Sequence, residues 1–159
     1  MITVAILTVS DSCARRERED ISGRTIEEML LREQFAVASK GIVPDDRDVI
    51  AAELAQLADS AAVDLVLTTG GTGFGPRDVT PEATASVCER LVPGFGELMR
   101  LEGYKRTPNA VLSRAVAGIR GRTLVVNLPG SPKAVRECLE LIVNLLPHAI
   151  EMLHGGGHG

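Results

Sequence analysis

Residues 64–84, DLVLTTGGTGFGPRDVTPEAT, constrain this chain more than any other stretch. Positions 64–69 form a short run rich in Leu, Val and Thr that suits a buried strand, and the run stops at Gly70, Gly71, Gly73 and Gly75. Thr80, Pro81 and Glu82 then read as a helix start, with Thr80 as N-cap, Pro81 at the first helical position and an acid in the first turn. A strand feeding a glycine loop that opens a helix suits an anion, because glycines let backbone N–H groups approach a ligand and the helix N-terminus adds partial positive charge. Phosphate is the expected ligand, and a plain solvent-facing turn is the alternative. The loop is not a P-loop, since Pro76 and Arg77 stand where that motif has Lys and then Ser or Thr. Nor is it a dinucleotide fingerprint, since Pro76 falls on the third glycine.

The same device recurs near the C-terminus. Residues 123–128, TLVVNL, run into Pro129, Gly130, Ser131, Pro132 and Lys133. Ser131 is placed to cap a helix, Pro132 suits its first turn, and Val135, Cys138, Leu139, Ile142 and Leu146 trace its buried face. Two such helix starts at one sheet edge imply a substrate, or a pair of substrates, with more than one phosphate. Residues 2–9 are almost continuously apolar, as expected of a central parallel strand covered on both faces. They end at Ser10 and Asp11, where open α/β sheets place their ligands, so both are site candidates.

Between these landmarks the pattern alternates. Residues 12–23 read as an exposed, charged loop. Thr25 with Glu28 fits a capping box that opens a helix to about Gln34, followed by a weaker strand over 35–43 and a turn at Pro44, Asp45 and Asp46. Asp45 and Asp46 are either a cation site or caps for the helix carried by Val49, Ile50, Leu54, Leu57, Ala58 and Ala61. After Pro93 and Gly94 comes a helical segment with Phe95, Leu98, Met99, Glu102 and Tyr104. Residues 111–118 and 123–128 read as strands around a turn at 120–122, and a last helix over 148–154 leads into a frayed glycine tail with His154 and His158.

A chain of 159 residues with 45% hydrophobic content suffices for one domain, placed at 1–153 with a flexible tail at 154–159. A net charge of −4 without a long basic block argues against nucleic acid as partner. No apolar run reaches membrane-spanning length, and residues 1–9 lack a basic region before the apolar one, so the expected location is the cytoplasm, with no membrane partner. The three cysteines, Cys13, Cys88 and Cys138, lack C-x-x-C spacing and read as ordinary reduced thiols.

Three stretches in order, TTGGTGFGPRDVTPEAT at 68–84, LSRAVAG at 112–118 and NLPGSPKA at 127–134, resemble the Mog family of molybdopterin adenylyltransferases, which includes the G domain of gephyrin. MoaB proteins share most of these motifs. The resemblance runs from about residue 3 to 153 and implies a three-layer α/β/α fold with a mostly parallel sheet, usually a homotrimer. It implies transfer of AMP from ATP to the terminal phosphate of molybdopterin with Mg²⁺, with delivery of the product to a MoeA-type molybdenum insertase. By the family pattern Asp45 of VPDD and Asp78 of PRDVTPE are the essential acids and Mg²⁺ ligands. Gly70, Gly71, Thr72 and Gly73 would cradle nucleotide phosphate, with Ser10 and Asp11 beside them. Ser113, Asn127 and Ser131 would line the pterin side, with Arg114 and Lys133 as further phosphate partners. Phe95, Leu98 and Met99 would contribute to the trimer contact. The chain departs from the pattern after Asp11, where Cys13, Ala14, Arg15, Arg16 and Glu17 replace small residues and a glycine. Two other readings stay open: a MoaB-type molybdopterin-binding scaffold without strong transferase activity, and a nucleotide-pyrophosphate hydrolase of the CinA kind.

Overall fold

Strand β1 (Ile2–Val9) is buried along most of its length, and its almost continuous apolar run is used on both sides of the sheet. Val4 and Ile6 enter one hydrophobic cluster, Ala5 and Leu7 the other. The computed structural model describes residues 1–156, and in it β1 pairs in parallel with β2 (Phe35–Val43) and β3 (Leu65–Thr69). Strand β3 pairs in parallel with β6 (Thr123–Leu128), and the antiparallel strands β5 (Ala117–Arg120) and β4 (Arg90–Leu91) complete one sheet in the order β2-β1-β3-β6-β5-β4. The sheet is therefore mixed, parallel at its centre.

Period-two alternation sorts the buried side chains between two helical layers. On one face Leu65, Leu67, Leu124 and Val126 meet Ile26 of α2 (Ile21–Met29), Phe95 and Met99 of α5 (Pro93–Arg106), Val135 and Leu139 of α6 (Pro132–Ile142) and Ile150 of α7 (Leu146–Leu153). On the other face Val66 and Val125 meet Ile50 and Leu54 of α3 (Arg47–Asp59) and Ala83 of α4 (Thr80–Val87). The three-layer α/β/α expectation holds.

Several local expectations change. The segment 12–23 is not one open loop: α1 (Asp11–Ala14) follows β1 directly, and α2 starts at Ile21 because the Asp20 side chain accepts the Gly23 N–H. Thr25 is then inside the helix, its hydroxyl donating back to the Ile21 carbonyl, and α2 ends at Met29 instead of near Gln34. Residues 111–118 are not a full strand. A 3-10 turn (Pro108–Leu112) occupies their start, and β5 begins only at Ala117. Side chains supply much of the bonding in between: Arg100 donates to the Ser113 and Ala115 carbonyls, and the Val116 N–H donates to Asn127 Oδ1 while the Val116 carbonyl accepts the Asn127 backbone N–H. Phe95 and Met99 lie in the monomer core, 8% and 4% exposed, so they are not a free surface for subunit contact. Leu101 and Tyr104 are the exposed large hydrophobic side chains of α5. His154 is not frayed, since its Nε2 lies 3.0 Å from the Arg122 carbonyl and 3.6 Å from the Asp64 carboxylate; His158 falls outside the described residues.

Candidate active site

Strands β1 and β3 end side by side, and the chain leaves both toward the same edge. At the end of β3 the Gly70 N–H donates to the Leu128 carbonyl and the Thr69 hydroxyl to the Pro129 carbonyl, which sets the glycine loop against the second loop at 129–131. Gly70 and Gly71 hold φ of 100° and 71°, the left-handed region that glycine enters without strain. A side chain at 70 would also collide with the Val9 carbonyl oxygen. Thr80, expected as the N-cap of α4, lies inside the helix: its hydroxyl donates to the Gly70 carbonyl at 2.9 Å and its N–H to the Gly71 carbonyl. It clasps the turn, and Val79 before it offers no side-chain cap.

The remainder of the loop is held from outside. Arg114, expected to contact phosphate, has its Nε on the Gly73 carbonyl at 2.8 Å, its Nη2 on the Asp78 carbonyl at 2.7 Å and its Nη1 on Glu82 at 2.6 Å. Its guanidinium nitrogens are thus taken up by the loop at 73–78 and the first turn of α4, not by the pterin-side phosphate expected of it. Asn127, expected on the pterin side, is fully buried, donating to the Thr68 and Thr84 hydroxyls while its Oδ1 accepts from Val116. Its polar atoms are satisfied inside the protein, so it supports the site from behind.

Two cavities flank the glycine loop. A polar one of about 360 Å³ is lined by Ser10, Asp20, Asp45, Gly70, Gly71 and Asp78 among others. A larger one of about 470 Å³ is lined by Thr72, Gly73, Met99, Arg100, Ser113 and Lys133 together with apolar side chains such as Leu112 and Ala115. Ser131 lines both. The glycine loop is thus divided, with Gly70 and Gly71 facing one cavity and Thr72 and Gly73 the other. Asp11 and Arg114 line neither.

The acidic residues divide their roles. Asp46 caps α3, accepting the Asp48 and Val49 N–H groups at 3.0 and 3.1 Å. That leaves Asp45 directed at the polar cavity, where Asp11 N–H donates to Asp45 Oδ2 and Asp45 N–H donates to Asp11 Oδ1, both at 2.9 Å. Arg77 grips the Asp11 carboxylate with Nε and Nη2 at 3.1 and 3.0 Å, and this contact holds the Asp11 carboxyl below its ordinary range. Burial, reinforced by the charges of Asp11 and Asp78, pushes the Asp45 carboxyl up. Asp78 accepts the Gly75 N–H at 2.8 Å. Neither Asp45 nor Asp78 forms an ion pair among the described residues, so two hard carboxylates reach one cavity without a basic side chain on them. Among the described residues no group of three or more His, Cys, Asp or Glu could hold a metal ion. This donor set fits a hard divalent cation that draws its remaining oxygen ligands from a bound phosphate and water.

Arg100 is one of the lining residues that sequence reasoning missed, with Asn109 and Glu137 in the same cavity and Asp20 and Ser22 in the polar one. The signal for Arg100 was present in the spacing of Gly96, Arg100 and Gly103, which fall on one helix face at i, i+4 and i+7 and all line the larger cavity.

Known proteins bear on this geometry. A family model described as "Probable molybdopterin binding domain" matches residues 5–148. The molybdopterin adenylyltransferase of Helicobacter pylori strain J99 is 44% identical over 156 residues, which cover 97% of this chain and 89% of that protein. The molybdopterin adenylyltransferase of Escherichia coli K12 is 36% identical over 169 residues, covering 97% and 86%. The crystal structure of the molybdopterin biosynthesis enzyme MoaB from Thermus thermophilus superposes with a TM-score of 0.92 at 52% identity, covering 98% of each chain. With the family model spanning most of its length and close relatives aligned nearly end to end, the chain belongs to the molybdopterin-binding domain family.

Proposed function

We propose that this protein transfers the AMP moiety of ATP to the terminal phosphate of molybdopterin, a reading supported by relatives named molybdopterin adenylyltransferase. The observation that carries the reading is the pair of unlike cavities joined at the glycine loop and Ser131, with Asp45 and Asp78 on the polar one. The triphosphate occupies the polar cavity, where Gly70 and Gly71 leave backbone room and Ser10 supplies a hydroxyl. The pterin occupies the larger one, oriented by Ser113 and Lys133. Its phosphate then meets the ATP α-phosphate beside Ser131.

An attacking phosphate monoester is already largely ionised near neutral pH, so no general base is needed. The P–O bond to the attacking oxygen forms as the bond to diphosphate breaks, and the protein's task is in-line placement and containment of charge. Asp45 and Asp78 would hold Mg²⁺, which when bound offsets the negative charge of the phosphates. A homotrimer, a cytoplasmic location and delivery of the product to a MoeA-type insertase belong to the same proposal.

The 52% identity with a protein named MoaB, itself described as a molybdopterin biosynthesis enzyme, bears on one second reading, a MoaB-type molybdopterin-binding scaffold without strong transferase activity. Incubation with ATP, Mg²⁺ and molybdopterin separates the two. Equimolar diphosphate and adenylylated pterin are expected; tight pterin binding without either product would leave the scaffold.

A further inference from the structure

By position Asp11 is a candidate phosphate contact, yet in the fold both of its carboxylate oxygens are engaged by protein. Oδ1 accepts from Arg77 Nη2 and from the Asp45 N–H, and Oδ2 accepts from Arg77 Nε. We propose that Arg77 and Asp11 are positioning residues: they brace the glycine loop against α1 and thereby fix the carboxylate of Asp45. The inference rests on the adenylyl-transfer reading above and deepens it by assigning these two residues a role distinct from binding phosphate.

The topology supplies the reason such a brace is needed. Asp45 follows β2, Asp11 follows β1 and Arg77 lies in the loop after β3, so the three residues come from three strands adjacent in the order β2-β1-β3. No short-range element fixes one against another. The reciprocal bonds between Asp11 and Asp45, both 2.9 Å, hold Asp45 to the end of β1 and bring two carboxylates together. Like charges so placed repel unless one is neutralised, and the guanidinium of Arg77 does so in the fork geometry that a carboxylate accepts in two places. The pair also carries the loop: Arg77 precedes Asp78, so holding Arg77 at α1 limits where Asp78 can stand relative to Asp45. The Arg77 side chain is 64% exposed, and an exposed ion pair adds little to stability. Its consequence therefore falls on the geometry of Asp45.

The test compares Arg77→Met, Arg77→Lys, Asp11→Asn and the double variant Arg77→Met/Asp11→Asn in the full chain. Four quantities are read: kcat with KM for ATP, Mn²⁺ affinity of the ATP-loaded protein by electron paramagnetic resonance, ATP affinity in EDTA by calorimetry, and melting temperature. Arg77→Met and Asp11→Asn should each lower kcat and Mn²⁺ affinity by about tenfold, the scale for residues that orient metal ligands. ATP affinity in EDTA and melting temperature should stay at the wild-type value. The double variant should be no worse than the worse single one, because one brace is removed either way. Arg77→Lys should lose nearly as much as Arg77→Met, since an ammonium cannot make the two-point contact. Weakened ATP binding in EDTA for Arg77→Met would make Arg77 a phosphate ligand and overturn the brace. Multiplicative losses in the double variant, or full activity in Arg77→Lys, would overturn it too. If the wild type forms no adenylylated pterin, the functional reading fails, and the Mn²⁺ measurements still decide the brace.

Discussion

The loops at 70–75 and 129–133 begin alike, each a strand running through glycine into a helix, and they differ in how the helix that follows is started. In the second loop Ser131 caps α6 itself, accepting the Ala134 N–H at 3.2 Å, and Pro132 sits in the first turn. In the first loop α4 has no side-chain cap; Thr80 from within the helix and Arg114 from a distant segment bond the loop carbonyls, and Arg77 ties the loop to Asp11. The self-capped helix start is a local solution, and the Thr69 and Ser22 hydroxyls add long-range bonds to the Pro129 and Gly130 carbonyls before it. A loop held by distant residues can place Asp78 opposite Asp45, but it depends on the rest of the fold. The same sequence motif thus opens one helix that caps itself and one whose start is held by residues from elsewhere in the fold, and both loops line the site.

The sharpest way to break this contrast is at the acidic residue that only the first loop carries. Asp78→Asn should lower turnover by on the order of a hundredfold or more, the scale for removing one group that stabilises transferring charge, with the fold intact. Near-wild-type turnover in a steady-state assay would remove Asp78 from the site. Glycines give the next test. Gly70→Ala puts a side chain at φ 100° and against the Val9 carbonyl, and should cost about 1–3 kcal/mol in denaturant unfolding from strain alone. Gly130→Ala would place its Cβ 3.4 Å from the Gly70 Cα, an ordinary contact, and should stay within about 0.5 kcal/mol of the wild type. Equal losses would erase the distinction between the loops.

Ser131→Ala sharpens the contrast from the other side. It removes the α6 cap and should cost about 1 kcal/mol by chemical denaturation. The smallest effect concerns Asp45→Asn and pH. Burial raises the Asp45 pKa in the folded state, so its ionised form disfavours folding at pH values above that pKa, and the penalty fades as pH falls through it. Asp45→Asn should accordingly be slightly more stable than the wild type at neutral pH, with the difference vanishing in acid, while activity is lost. A difference that grows toward acid pH would reverse the assignment of burial as the cause.

The residue pairs 45/46 and 114/127 mark how far the sequence could be read. VPDD identified a cap and a cation ligand as competing roles, and the structure gives the cap to Asp46 and the cavity to Asp45. Arg114 and Asn127 were legible as site residues from their motifs, yet both act from behind: Arg114 on loop carbonyls, Asn127 on buried hydroxyls. Motif membership records that a residue is needed near a site, and it does not record which way the side chain points. The start of α2 was missed for a related reason, because a cap at Asp20 is invisible in a run of alternating charge.

The sequence by itself determined the layers of this protein and its two glycine loops. Apolar runs of strand length, the residues that permit left-handed backbone and the prolines that open helices act within a few positions of themselves, so their consequences are local. The site was decided by tertiary structure. Asp11 meets Asp45 across 34 positions, Arg114 meets Gly73 across 41 and Arg77 meets Asp11 across 66. Contacts at such separations exist only once β2, β1, β3 and β6 have taken their places in the sheet, because strand order, not neighbouring residues, sets which loop ends face one another.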